Sequence, residues 1–438
     1  MRLIARMARL SGVGNSWSTM RMVGQESRVF VVTLKARPSG TFEQMPHSAV
    51  LHFSLDEYAE RLAKTRAAMD AQGIELLVVT DPSNMAWLTG YDGWSFYTPQ
   101  CVCIGPEGEP FWFGRGMDAP GGHRTAYLDA ENIIGYPDHY VMSQERHPMD
   151  RLAGVLAERG WDALRTGVEM DNYYYSAKAH AAFNAHMRRA AFVDATGLVN
   201  WRRLVKSEQE IAYMRIAGRI VEKMYETVLE TMAPGVRKND LVAEIYRTAI
   251  KGVDGHGGDY PAIVPLLPTG IDASAAHLTW DDSPLKEGEG TSFEIAGVYR
   301  RYHTPLCRTI YLGTPPQHFY DAERAIIDSI AAGMEAARPG NTCEDMHRAF
   351  IAELRAHGFD KESRAGYSIG LSYPPDWGER NISVREGDLT VFEPGMTLHF
   401  MPALWQDDWG LEITEPLLIT ETGCEPLAYV ARKLFVKT

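Results

Sequence analysis

The chain has 438 residues, long enough for two domains and too long for one ordinary core. Its residues are 45% hydrophobic and 23% charged, the balance of a globular protein, and a net charge of -13 offers no basic face to nucleic acid. No apolar run approaches the roughly 20 residues that span a bilayer. The five scattered cysteines (Cys101, Cys103, Cys307, Cys343, Cys424) fit neither a disulfide framework nor zinc-ribbon spacing, and read as reduced thiols in the core of a cytoplasmic protein.

Residues 1–50 stand apart. Arg2, Arg6, Arg9, Arg21 and Arg28 lie in a weakly patterned stretch with two Glu and no Asp. A transit peptide has this composition. The simpler reading is an upstream start, with Met45 as the natural first residue and the extension disordered or not native.

An α/β domain is expected over 51–200. Ser54-Leu55-Asp56-Glu57 forms a capping box, and Leu55, Tyr58, Leu62 and Met69 then recur at helical spacing until Gly73. Ile74 to Thr80 is a buried-strand run. Asp81-Pro82 opens the next helix, with Pro where no N–H is needed. Strands follow near Cys101 to Ile104 and Pro110 to Phe113.

An α+β domain is expected over 201–438. Ser207 to Glu210 is a second capping box, opening a long helix that Pro234-Gly235 stops. Asn239 caps a helix through Ile250, and helices fit 319–337 and 342–357. Strand-like runs are Thr291 to Ala296, Thr309 to Leu312, Leu389 to Phe392, Thr397 to Phe400, Leu411 to Ile413 and Leu417 to Ile419.

Polar residues gather in four places of this second domain. They are the glycine-rich loop Asp254 to Tyr260, His277 with Thr279 to Asp282, the run Phe293 to His303, and the late group Glu393, His399 and Glu412. These segments, in this order, resemble the pita-bread fold of methionine aminopeptidases, proline dipeptidases and creatinase. The resemblance covers 51–438, with Arg203 to Ile211 similar to the family's entry into its catalytic domain. It implies a creatinase-like N-terminal domain followed by a pita-bread catalytic domain.

Metal-dependent members of that family carry Asp, Asp, His, Glu and Glu around two metal ions. Placed by local motif, those positions here are Glu294, Pro305, Tyr367, Met401 and Thr414. Pro has no side-chain donor and Met is too soft for an oxygen-rich site. No metal and no other cofactor is therefore expected. A metal polarises a neutral carbonyl and activates water, whereas an amidinium or guanidinium already carries positive charge at its electrophilic carbon. Creatinase, the metal-free member, cleaves such a compound.

Four further stretches are similar to the ectoine hydrolases: Asp81 to Tyr97, Gly252 to Pro265, Arg300 to His303, and Ser372 to Glu379. The N-terminal extension is absent from that pattern. The resemblance implies hydrolytic opening of ectoine, a cyclic amidine with a carboxylate, to an N-acetyl-2,4-diaminobutyrate. The partner is thus a small zwitterion, ectoine or also hydroxyectoine. A homodimer and a deacetylase partner are implied too, with the Asp92-Gly93-Trp94 loop contributing in trans.

Roles follow on that basis. Glu294 attacks the amidinium carbon or positions the water that does; a structural ion pair is the alternative. His277 is the general base or shuttle, or else a satisfied structural histidine. His303 and His399 divide between shuttle and structural donor. Glu412 and Glu393 can pair with amidinium N–H groups. Arg301 or Arg300 can meet the substrate carboxylate, only one of them facing inward if both lie on a strand. Tyr299, Tyr302 and Tyr367 can donate hydroxyls, and Trp94, Phe96 and Trp409 can cover the flat amidine. Three rivals remain: an amidinohydrolase acting on an open-chain guanidino acid, a pita-bread binding module without catalysis, and a metallopeptidase whose ligands lie elsewhere.

Overall fold

The computed structural model describes residues 17–23, 29–35 and 49–438. Within the first 48 residues, strands β1 (Trp17–Val23) and β2 (Val29–Lys35) pair antiparallel in a unit of their own. The expectation of a disordered or non-native extension otherwise falls outside the described residues.

Helix α1 (Leu55–Ala71) starts where the capping pattern places it, with the Ser54 hydroxyl accepting from the Glu57 N–H. Then come β3 (Leu76–Val79), α2 (Pro82–Thr89), β4 (Cys101–Ile104), β5 (Phe111–Arg115), α3 (Ala119–Thr125), β6 (Ile133–Tyr136), α4 (Pro148–Glu158), β7 (Arg165–Val168), α5 (Ala177–His186) and β8 (Ala191–Asp194). They form one six-stranded mixed sheet, ordered β6-β5-β4-β3-β7-β8. The central β3 and β4 are buried on both faces, which is why their sequences read as unbroken apolar runs.

Helix α6 (Glu208–Thr231) opens with both bonds of its capping box, Ser207 and Glu210, in place. It lies across the long hairpin of β9 (Gly290–Tyr299) and β10 (Tyr302–Leu312), after α7 (Lys238–Lys251). Gly297 permits that approach: a Cβ there would sit 2.0 Å from the Ala217 carbonyl oxygen of α6. Helices α8 (Gln317–Ala336) and α9 (Cys343–Ala356) pack together over a second apolar core.

The remaining strands are β11 (Gly366–Ile369), β12 (Gly378–Ser383), β13 (Thr397–Phe400), β14 (Ala403–Trp405), β15 (Gly410–Glu412), β16 (Glu415–Ile419), β17 (Cys424–Pro426) and β18 (Phe435–Lys437). They build a five-stranded sheet, β12-β11-β13-β16-β17, a small β14-β15 ribbon, and a parallel edge, β18, on β10. Leu389 to Phe392 is not a strand. It makes one isolated bridge, Thr342 to Val391, and leaves Leu389 67% exposed; the following Pro394 cannot donate to a ladder.

The two larger domains share a buried polar junction. Arg203 donates to Asn84 Oδ1 and pairs with Glu379, while Lys206 Nζ meets Glu379 Oε2 at 2.5 Å. The capping-box residue Glu210 also accepts from Trp87 Nε1 and from the Tyr302 hydroxyl.

Candidate active site

The hairpin register sets the centre of the site. Glu294 lies opposite Cys307, and each turns its backbone groups away from the other: Glu294 exchanges bonds with Leu266, and Cys307 bonds Thr414. This is a non-hydrogen-bonded pair, the closer kind, so the two side chains project together. Pro305 is two residues before Cys307, so its missing N–H also points away from β9 and costs no bond in that ladder.

Glu412 reaches the same place from β15. Its backbone N–H donates to Thr309 Oγ1 of β10 at 2.8 Å, which fastens the ribbon to the hairpin. Trp405 Nε1 donates to Glu412 Oε1 at 2.8 Å, while the other oxygen, Oε2, is buried with no hydrogen-bond partner. The weakly donating Cys307 thiol adjoins the carboxylate. Glu294 is 6% exposed and Glu412 2%. Burial, then the charge of Glu412, then that of Asp376 hold the Glu294 carboxyl well above the usual range. Burial likewise raises Glu412. Such a pair resists carrying two negative charges without a cation beside it.

His399 and Tyr367 complete the cluster. They are directly paired on β13 and β11. His399 Nε2 lies 2.8 Å from Thr414 Oγ1, and its Nδ1 lies 3.2 Å from the Tyr367 hydroxyl and 3.9 Å from Glu294 Oε1. Trp377 Nε1 donates to the same Tyr367 oxygen at 2.8 Å. Burial, with Arg308 and Arg364, lowers His399 to about 3, so the ring is neutral near pH 7. Burial and the nearby Glu294 raise Tyr367.

Other expected residues fall elsewhere. His303 is on β10, but its Nε2 accepts from the Ala262 N–H at 2.9 Å and its Nδ1 meets the Arg301 carbonyl at 2.8 Å. Both nitrogens are occupied, and burial lowers the ring to about 3. Tyr302 donates to Glu210 Oε1 at the domain junction. Tyr299 faces His256, Trp409 packs on His318 and Phe319 of α8, and His277 is exposed in a turn with no hydrogen bond to the cluster. Glu393 is exposed and borders a different surface cleft of about 440 Å³ with Lys64, Trp201 and Arg202.

Arg300 and Arg301 are not strand residues. They form the two-residue β9–β10 turn at φ +52° and +67°, a region that costs most side chains energy. Asp259 Oδ2 accepts the Arg301 N–H at 3.0 Å and the guanidinium stacks 3.5 Å from the Tyr260 ring, contacts that hold this conformation. Arg301 Nη1 is buried without a partner. The Asp92–Trp94 loop meets this region within its own chain: Tyr373 donates to Asp92 Oδ1 at 2.7 Å, and Trp94, with Phe96 4.7 Å away, lies 4.8 Å from Tyr260. Trp94 itself remains 58% exposed.

The donor set does not fit a dinuclear metal centre. Pro305 offers no atom, His399 spends both nitrogens, and Thr414 spends its hydroxyl on His399 and Cys307. Among the described residues, the group of three or more His, Cys, Asp or Glu side chains whose ligand atoms all lie within 4.8 Å of one another is Asp328, Glu353 and His357, on α8 and at the end of α9.

This sheet architecture and polar centre belong to a known class. Residues 212–421 match the metallopeptidase family M24 and residues 61–205 the creatinase/prolidase N-terminal domain. The chain belongs to this pita-bread family and is a hydrolase acting on C–N bonds, with a creatinase-like domain ahead of the catalytic one.

Among particular relatives, it is 58% identical to the ectoine hydrolase of Halomonas elongata, over 88% of this chain and 99% of that protein. An uncharacterized hydrolase/peptidase of Sinorhizobium fredii is 42% identical over 89% of this chain and 99% of its own length. The fold matches a prolidase from Thermococcus sibiricus with a TM-score of 0.76 at 16% identity, covering 88% and 100% of the two chains. A dipeptidase PepE from Mycobacterium ulcerans matches with a TM-score of 0.72 at 21% identity, covering 88% and 99%.

Proposed function

We propose that this chain is a metal-independent ectoine hydrolase. The observation that carries the reading is the buried pair Glu294 and Glu412, with raised pKa values and an unpartnered Oε2. A buried carboxylate pair with no cation in direct contact is costly, and an amidinium supplies that contact. The 58% identity to an ectoine hydrolase supports the choice of substrate.

Glu412 Oε2 accepts an amidinium N–H, and Glu294 delivers the attack, by drawing a proton from water or by adding to the carbon itself. With water as nucleophile, oxygen bonds to the amidinium carbon, one ring C–N bond breaks, and the freed nitrogen takes up the proton; with Glu294 as nucleophile, the same C–N bond breaks to leave a Glu294-bound imidate, whose hydrolysis by water frees the carboxylate. The product is an N-acetyl-2,4-diaminobutyrate. His399 and Tyr367 border Glu294 and form the route for that proton. Arg301 Nη1 suits the substrate carboxylate. His303 positions the 301–303 and 262 backbones that surround it. The reading includes a cytoplasmic homodimer that feeds a deacetylase.

Purified enzyme incubated with ectoine and, separately, with creatine tests the assignment. Ring opening of ectoine is expected. Turnover of creatine alone would replace this reading with an amidinohydrolase acting on open-chain substrates, and turnover of neither would favour a binding module.

A further inference from the structure

Behind Glu412 lies a charged group that the reaction above leaves unused. Lys361, in the loop between α9 and β11, is 8% exposed. Its ammonium donates to Ser363 Oγ at 2.7 Å and sits 4.0 Å from the centre of the Trp405 ring. The other end of that indole is the N–H that donates to Glu412 Oε1 at 2.8 Å. A cation on the face of an indole draws on its π-density and strengthens its N–H as a donor.

We propose that Lys361 is a positioning residue for this hydrolysis: acting through the Trp405 indole, its ammonium keeps Glu412 ionised, with Oε2 free for the substrate cation. The inference rests on the ectoine-hydrolase reading. The groups facing Glu412 come from every side: Lys361 from the loop, Trp405 from β14, Cys307 from β10 and Glu294 from β9. Of these, Lys361 is the cation. Asp360, next in the chain, is turned to Arg355 and to the Lys361 backbone N–H. Burial lowers Lys361 to about 8, a drop that Glu412 opposes, so the ammonium is charged at neutral pH.

Without the ammonium, Glu412 holds its proton to higher pH and must lose it before a cation can bind. K361M should therefore raise KM more than it lowers kcat, and move the acid limb of kcat/KM up by about one pH unit, a tenfold loss on that limb. K361R keeps the charge and should restore the limb. Equal losses in K361M and K361R, with the limb unmoved, would show a packing role only and overturn the proposal.

A substrate-free arm separates this idea from the choice of substrate. In urea unfolding at pH 7, K361M and E412Q should be non-additive by about fivefold or more in the unfolding constant. Additive effects would overturn the proposal. That coupling in an enzyme inert towards ectoine would remove the substrate reading and support the link between ammonium and carboxylate.

Discussion

Replacing Glu412 by Gln probes the carboxylate pair from two directions. The Gln oxygen can still accept from Trp405 Nε1, so the ribbon keeps its contact. The amide NH2 then stands where Oε2 stood, a donor facing the donors of the substrate. A hydrogen bond to a charged group contributes about 1.5–3 kcal/mol, so KM should rise by about tenfold to a hundredfold. Stability should move the other way. Glu412 has a folded pKa raised above the ordinary 4.5, so its ionisation works against folding as pH rises from that value. E412Q removes this burden. Its stability relative to wild type should be greater at pH 8 than at pH 4, where both forms carry no charge at this position. Michaelis kinetics and urea unfolding at both pH values supply the two readouts. An unchanged KM, or a variant less stable than wild type by the same amount at both pH values, would refute the reasoning.

E294Q should lower kcat by about 10² to 10⁴, the span of a lost acid–base group, while leaving the protein folded; near-normal turnover would remove Glu294 from the chemistry. R301A should raise KM by about tenfold or more through one lost charge-assisted contact, with a smaller change in kcat, and an unchanged KM would move the substrate carboxylate elsewhere. At the domain junction, K206M leaves Glu379 buried without its nearest cation and should cost about 3–5 kcal/mol in urea unfolding. An unfolding midpoint equal to that of wild type would show the pair to be dispensable.

What the sequence made legible was mostly local. Ser54, Ser207 and Thr342 each start a helix because a cap is decided within four residues. Apolar runs marked β3 and β4 because both faces are buried. Leu389 to Phe392 misled because three apolar residues out of four in a loop imitate a strand, and no neighbour in the chain says whether a sheet receives them. The site divided along the same line. Glu294, Glu412, His399 and Tyr367 were legible as a group because the family order of strands supplied the long-range register. Tyr302 was not, since its partner Glu210 is on α6 at the domain junction. Trp377 and Asp376 lay within Ser372 to Glu379 without assigned roles, and Thr414 stood only as a lost ligand position. Lys361 and Trp405 carry no motif; only the fold places an ammonium on one side of an indole and a carboxylate on the other.

The central claim is that positive charge on the substrate, balanced by Glu294 and Glu412, stands in for a metal. Product analysis by NMR, using enzyme dialysed exhaustively against EDTA and with its residual metal measured, tests this most directly. Full conversion of ectoine to an N-acetylated diaminobutyrate at substoichiometric metal is the expected result. Loss of activity that zinc, manganese or cobalt restores would contradict it.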